Sequence, residues 1–99
     1  MHAILVNGER RSIEPVEIKS KAEIARLVGQ ESIIADEIDE NDAVYFDEDC
    51  FIRGSAGKFQ IDTLPPIAGK AVIIGLREGD QLTDVTLTAD ALTSRITFL

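Results

Sequence analysis

Eight carboxylates fall within fourteen residues: Asp36, Glu37, Asp39, Glu40, Asp42, Asp47, Glu48 and Asp49. Packed together such side chains repel, and a divalent cation would relieve the repulsion. The spacing does not follow the EF-hand loop. Counting from Asp39, the third position is Asn41, but the fifth is Ala43, the sixth is Val44 in place of glycine, and the twelfth is Cys50 in place of glutamate. The plainer reading places these acids in solvated turns that keep sheet edges apart, where they form an acidic interaction surface. No metal and no cofactor is expected. Two carboxylates could also serve as acid and base in glycoside hydrolysis, but that needs one of them in an apolar pocket. Hydrated turn positions do not provide one.

The remaining reactive side chains are few. His2 is the single histidine, one residue from the amino terminus. Without a second histidine or a cysteine cluster it makes no zinc site. Cys50 is the single cysteine. It reads as a small buried hydrophobe. Asp47, Glu48 and Asp49 beside it would disfavour the thiolate a nucleophile needs. Gly54-Ser55-Ala56-Gly57-Lys58 faintly suggests a phosphate loop, but Phe59-Gln60-Ile61 continues as strand and no helix opens there. Arg53, Lys58, Phe51 and Phe59 could form a patch for single-stranded nucleic acid. The two phenylalanines read more simply as core. The residues therefore predict no catalytic apparatus.

Charge and composition set the frame for these residues. The chain has 99 residues with 18 acidic and 10 basic side chains, a net charge of −8. Nucleic-acid backbones and anionic membranes repel such a surface. A hydrophobic fraction of 44% with 28% charged residues is ordinary globular composition, enough for one core and one domain over residues 1–99. One cysteine permits no internal disulfide, which fits a reducing compartment. The apolar stretch near the start is four residues long, Ala3 to Val6, too short for a signal peptide. The expected location is the cytoplasm.

Elements that would position the acids can be read from period and punctuation. Ala3–Val6 is a short strand ending at Asn7-Gly8, a two-residue hairpin signal. A second strand follows from about Arg11 to Ile18, and Pro15 assigns it to a sheet edge. Ser20-Lys21-Ala22-Glu23 is a capping box opening a helix over about 21–28. Ile24, Leu27 and Val28 form its apolar stripe and Gly29 its left-handed end. Ser32–Ile38, Ala43–Phe46, Cys50–Arg53, Lys58–Ile61 and Lys70–Leu76 then read as five short strands. Their breaks include Asp39-Glu40-Asn41-Asp42, Asp47-Glu48-Asp49, Pro65-Pro66 and Glu78-Gly79-Asp80. Continuously apolar Ala71-Val72-Ile73-Ile74 predicts a central strand covered on both faces. Thr88 can cap a short helix from Ala89 to about Ser94, with a final strand over Ile96–Leu99. The fold class is α+β: a small, mainly antiparallel or mixed sheet with one well-capped helix and a short C-terminal helix.

From about Ile38 to Leu99, a set of segments has a recognisable order and spacing. They are Val44-Tyr45-Phe46-Asp47-Glu48, Pro66 to Gly75, Glu78-Gly79-Asp80, Val85-Thr86-Leu87-Thr88 and Ile96-Thr97-Phe98-Leu99. In these the chain resembles a small bacterial and phage domain of unknown function. The resemblance implies a fold and a mobile-element or accessory-gene setting, and it brings no activity or catalytic residues.

The expected function is that of a non-catalytic accessory module acting through protein contacts on its acidic surface. A basic protein partner would be steered to it. Direct binding to nucleic acid or membrane is not expected, and the chain is read as a monomer or weak dimer. Two other classes remain open on the sequence. A DNA mimic would need carboxylates in a row at phosphate-like spacing, and a small metabolite- or metal-binding domain would need an enclosed pocket with converging polar groups.

Overall fold

The structure, a computed structural model, describes residues 1–76 and 82–99; the break expected at Glu78-Gly79-Asp80 lies outside the described residues. Two antiparallel sheets form its framework. Strand β1 (His2–Asn7) pairs with β2 (Ser12–Glu17), and β1 also pairs with β7 (Lys70–Leu76). On the far side of β7 lies β4 (Asp42–Asp47), followed by β3 (Ile33–Glu37). The order across the large sheet is thus β2-β1-β7-β4-β3, with short β8 (Leu82–Thr83) also pairing with β7. A smaller sheet has the order β6-β5-β9, from Ile67–Ala68, Lys58–Ile61 and Ile96–Phe98.

The central strand is the one its apolar run predicts. Residues alternate along a strand between the two faces. Val72 and Ile74 face helix α1 (Lys21–Val28), where Ile18, Ile24, Val28, Ala43 and Tyr45 complete one core layer. Ala71 and Ile73 face the smaller sheet, packing with Ile4, Val6, Val44, Phe59, Ile61 and Leu92. Leu92 comes from helix α3 (Ala89–Thr93), whose start is capped as expected: the Thr88 hydroxyl accepts from the Ala91 N–H at 3.0 Å. The domain is therefore helix, large sheet, then small sheet with a second short helix. Among the described residues every strand pairing is antiparallel.

Three local expectations need correction. The capping box at Ser20 is not formed: Ser20 makes no side-chain cap bond, because the Glu23 N–H goes to the Ser20 backbone carbonyl at 3.1 Å. The other end of α1 is as expected, with Gly29 left-handed at φ 85° and its N–H on Ala25. The Asn7-Gly8 hairpin is not a two-residue turn. Asn7 pairs with Ser12, its side-chain oxygen accepts from the N–H groups of Glu9 and Arg10, and Arg11 takes the positive φ of 53°. Gly8 is committed elsewhere, donating to the Gly69 carbonyl at 2.8 Å. Finally, Cys50–Arg53 is not a strand but a single helical turn, α2, closed by Gly54 at φ 73°. Pro15 does lie in an edge strand.

Glycines join the two sheets. The chain crosses from β6 to β7 at Gly69, which has φ 85° and donates to the Gly57 carbonyl at 2.9 Å. Gly57 comes so close to the β1–β2 loop that a Cβ there would lie 2.1 Å from the Glu9 nitrogen.

Candidate interaction surface

The β3–β4 hairpin carries the acidic segment, and it sorts the eight carboxylates into different roles. Asp42, at the start of β4, is fully buried. It accepts the Thr86 N–H at 2.8 Å and also the Thr86 hydroxyl. Asp47, at the end of β4, is 3% exposed. Its two oxygens accept from Arg53 Nε at 2.8 Å and Nη2 at 3.3 Å, and one also accepts the Asp49 N–H at 3.0 Å. The hydrogen-bonded Arg53 guanidinium holds the Asp47 carboxyl below the usual carboxylate range, outweighing burial, which acts in the opposite sense. Two of the acids read as surface residues are thus internal fasteners. Buried polar groups persist where they are hydrogen-bonded, and both of these are. They sit at opposite ends of one strand, roughly 17 Å apart at the usual rise per residue.

Asp39 is also committed. One oxygen accepts from the N–H groups of Asn41 and Asp42, closing the hairpin turn, and the other meets Arg95 Nη1 at 3.2 Å. Arg95 grips Asp62 as well, through Nε at 3.0 Å and Nη2 at 2.5 Å, so it ties the hairpin turn to the end of β5. This forked pairing pulls the Asp62 carboxyl below its ordinary range and pushes the Arg95 guanidinium higher still.

The exposed acids are Asp36, Glu37, Glu40 and Glu48, which make no ion pair among the described residues, and half-buried Asp49, 4.0 Å from Arg53. Asp36, Glu37 and Glu40 gather at the turn end of the hairpin, while Glu48 and Asp49 lie past its other end. They do not run in one phosphate-like row.

The acids at the turn end sit on an unpaired sheet edge. β3 ends the strand order, and no described strand pairs with its outer side. The parity of its backbone follows from two bonds: the Ile38 N–H donates to Asp42, and the Glu48 N–H donates to Ser32. In an antiparallel ladder bonded pairs alternate with non-bonded ones. With Ile34 opposite Phe46 and Asp36 opposite Val44, the even residues bond to β4. The N–H and C=O groups of Ala35 and Glu37 therefore point outward. Beside this edge a groove of about 320 Å³ runs between α1 and the sheet, lined by Lys21, Ile33, Ala35, Glu37, Tyr45 and Leu76. Ile34 is 37% exposed on the opposite face.

The other candidates resolve into structural parts. His2 lies within β1 and pairs with Glu17, and the terminal ammonium donates to the Ile18 carbonyl at 2.7 Å. Cys50 is buried, its sulfur accepting the Ala68 N–H at 3.5 Å. Gly54 and Gly57 take positive φ in the loop before β5. Phe59 is core, as expected, but Phe51 is 52% exposed with the Lys58 ammonium 5.9 Å from its ring centre. Ile52 beside it is 89% exposed, a feature that the strand reading of this segment hid. Near the glycine junction, Asn7, Gln30, Ser55 and Lys70 line a cleft of about 180 Å³. Among the described residues no three His, Cys, Asp or Glu side chains converge to hold a metal ion, and no helix is long and apolar enough to cross a membrane.

No family model matches this chain, and neither does any curated protein or any solved structure. The functional reading therefore rests on the geometry of the β3 rim.

Proposed function

We propose that this chain is a non-catalytic accessory module that contacts a basic protein through the acidic rim of its large sheet. One observation carries the reading: an unpaired strand edge coincides with the exposed acids Asp36, Glu37 and Glu40. Unpaired strand edges are the surfaces that folded proteins otherwise protect. Charges here repel other copies of a chain with net charge −8 and attract a basic surface. The buried acids and Arg95 fasten the hairpin that carries the rim to the segments around it. A lone buried Cys50 fits work in a reducing compartment such as the cytoplasm.

The test is capture of partner protein from cell extract with the wild type and with the triple variant Asp36→Asn, Glu37→Gln, Glu40→Gln. Asp39 is left intact because it closes the turn. Recovery should fall as salt rises, since exposed charges are screened beyond about 8–10 Å at physiological ionic strength. It should also fall in the triple variant at low salt. Equal recovery by both proteins at every salt concentration would refute the reading.

A further inference from the structure

We infer that the partner contributes an extended segment that adds to the outer edge of β3 as an antiparallel strand, with its basic residues leading. The inference deepens the protein-contact reading above and rests on it. Its first support is backbone parity. Ala35 and Glu37 turn both N–H and C=O outward, two residues apart, which is the repeat an added antiparallel strand requires. Each could exchange a pair of hydrogen bonds with one residue of the incoming chain.

The second support is the gradient of side chains along the strand. Ile33 and Ile34 occupy its first half, and Asp36 and Glu37 its second. Asp36 and Glu37 lie on opposite faces of the sheet, so both faces are acidic at the same end. An antiparallel partner therefore meets Glu37 first, then Asp36, Ala35, Ile34 and Ile33. Read from its amino end, the matching segment has two Lys or Arg residues followed by three apolar or β-branched ones. Small Ala35 leaves the groove beside Tyr45 open for the first of these apolar residues, the one opposite it. Opposite charges and apolar pairs directly across strands are the units that stabilise a sheet.

The probe is a synthetic peptide containing Lys-Arg-Ile-Val-Val, with the order-reversed peptide as control, titrated against the full chain by fluorescence anisotropy. The forward peptide should bind at least about fivefold more tightly than the reversed one. N-methylation of its isoleucine, which removes the N–H aimed at the Ala35 carbonyl, should weaken binding about tenfold without altering the protein. Ala35→Pro should do the same, because it deletes an outward N–H and no ladder bond to β4. Asp36→Asn with Glu37→Gln should weaken binding at low salt and matter less at high salt.

Binding lost with the charge variant but unchanged by N-methylation and by Ala35→Pro would overturn strand addition and leave the protein-contact reading standing. Equal affinity for forward and reversed peptides, or no binding of either, would also overturn strand addition; the capture experiment with the triple variant then decides the broader reading separately. A peptide-free dimer abolished by Ala35→Pro would assign the edge to a second copy of this chain and overturn the inference.

Discussion

Asp42 and Thr86 stand 44 residues apart in sequence and share two hydrogen bonds, one to the Thr86 N–H and one to its hydroxyl. They fasten the start of β4 to the segment that leads into α3, with the carboxylate fully buried. Replacing Asp42 with alanine leaves the Thr86 N–H without its partner and should cost about 2–3 kcal/mol. Thr86→Val removes only the hydroxyl bond and should cost about 1 kcal/mol. Urea titrations should show both as lower midpoints with an unchanged slope. An Asp42→Ala midpoint equal to that of the wild type would contradict the role assigned here.

Acid should act on the Asp47–Arg53 pair. The guanidinium lowers the folded-state pKa of Asp47 relative to its unfolded value of about 3.9. A carboxyl with a depressed folded pKa stabilises the fold above its unfolded value, and that contribution is lost as pH falls through the folded one. Arg53→Met removes the partner and leaves a buried carboxylate, so it should lower the urea midpoint at neutral pH. The gap between wild type and variant should close as pH falls through the acid range, because without the guanidinium burial raises the Asp47 carboxyl and the variant takes up its proton before the wild type does. The Asp62–Arg95 pair titrates in the same direction in both proteins, so the difference isolates Asp47. A gap that stays constant with pH would exclude the ion pair as its origin.

Glycine positions should differ sharply in tolerance. Gly57→Ala meets the Glu9 backbone and should destabilise by about 3 kcal/mol or more. Gly54 also has positive φ, yet nothing lies within 4 Å of an added Cβ. Gly54→Ala should therefore show only the left-handed backbone penalty of about 1–2 kcal/mol. Thermal unfolding of the two variants side by side checks the ranking, and a larger loss for Gly54→Ala would reverse it.

Ile52 and Ile73 are the same residue type in opposite settings, at 89% and 0% exposure. Ile52→Ser should change stability by no more than about 0.5 kcal/mol. Ile73→Ala should cost about 2–5 kcal/mol. A large loss at Ile52 would mean that α2 packs against something other than the described surface.

Legibility followed the range of the interactions. Gly29, Thr88 and the run Lys70–Leu76 act within a turn or along one strand, and each reads directly from its neighbours. Cys50–Arg53 misleads because Cys, Phe and Ile are all common strand residues. The informative signal is its closing glycine, since Gly54 ends a helical turn as Gly29 does. The division into two sheets depends on glycine contacts between distant segments, which no local pattern encodes. The acids show the same boundary. Exposed Asp36 and Glu37 read correctly as wet, but Asp42 is buried by a threonine far along the chain and Asp47 by an arginine on a turn mistaken for strand. A count of carboxylates cannot separate these cases; only the partners can.

The β3 rim is tested most directly at its own amides. Hydrogen exchange of Ala35 and Glu37, followed by NMR with and without the Lys-Arg-Ile-Val-Val peptide, reads the outward groups one residue at a time. Both amides should exchange quickly in the free protein and slow at least about tenfold on binding, while Ile34 and Asp36, already bonded to β4, change little. Exchange at Ala35 and Glu37 that stays fast at saturating peptide would contradict the account.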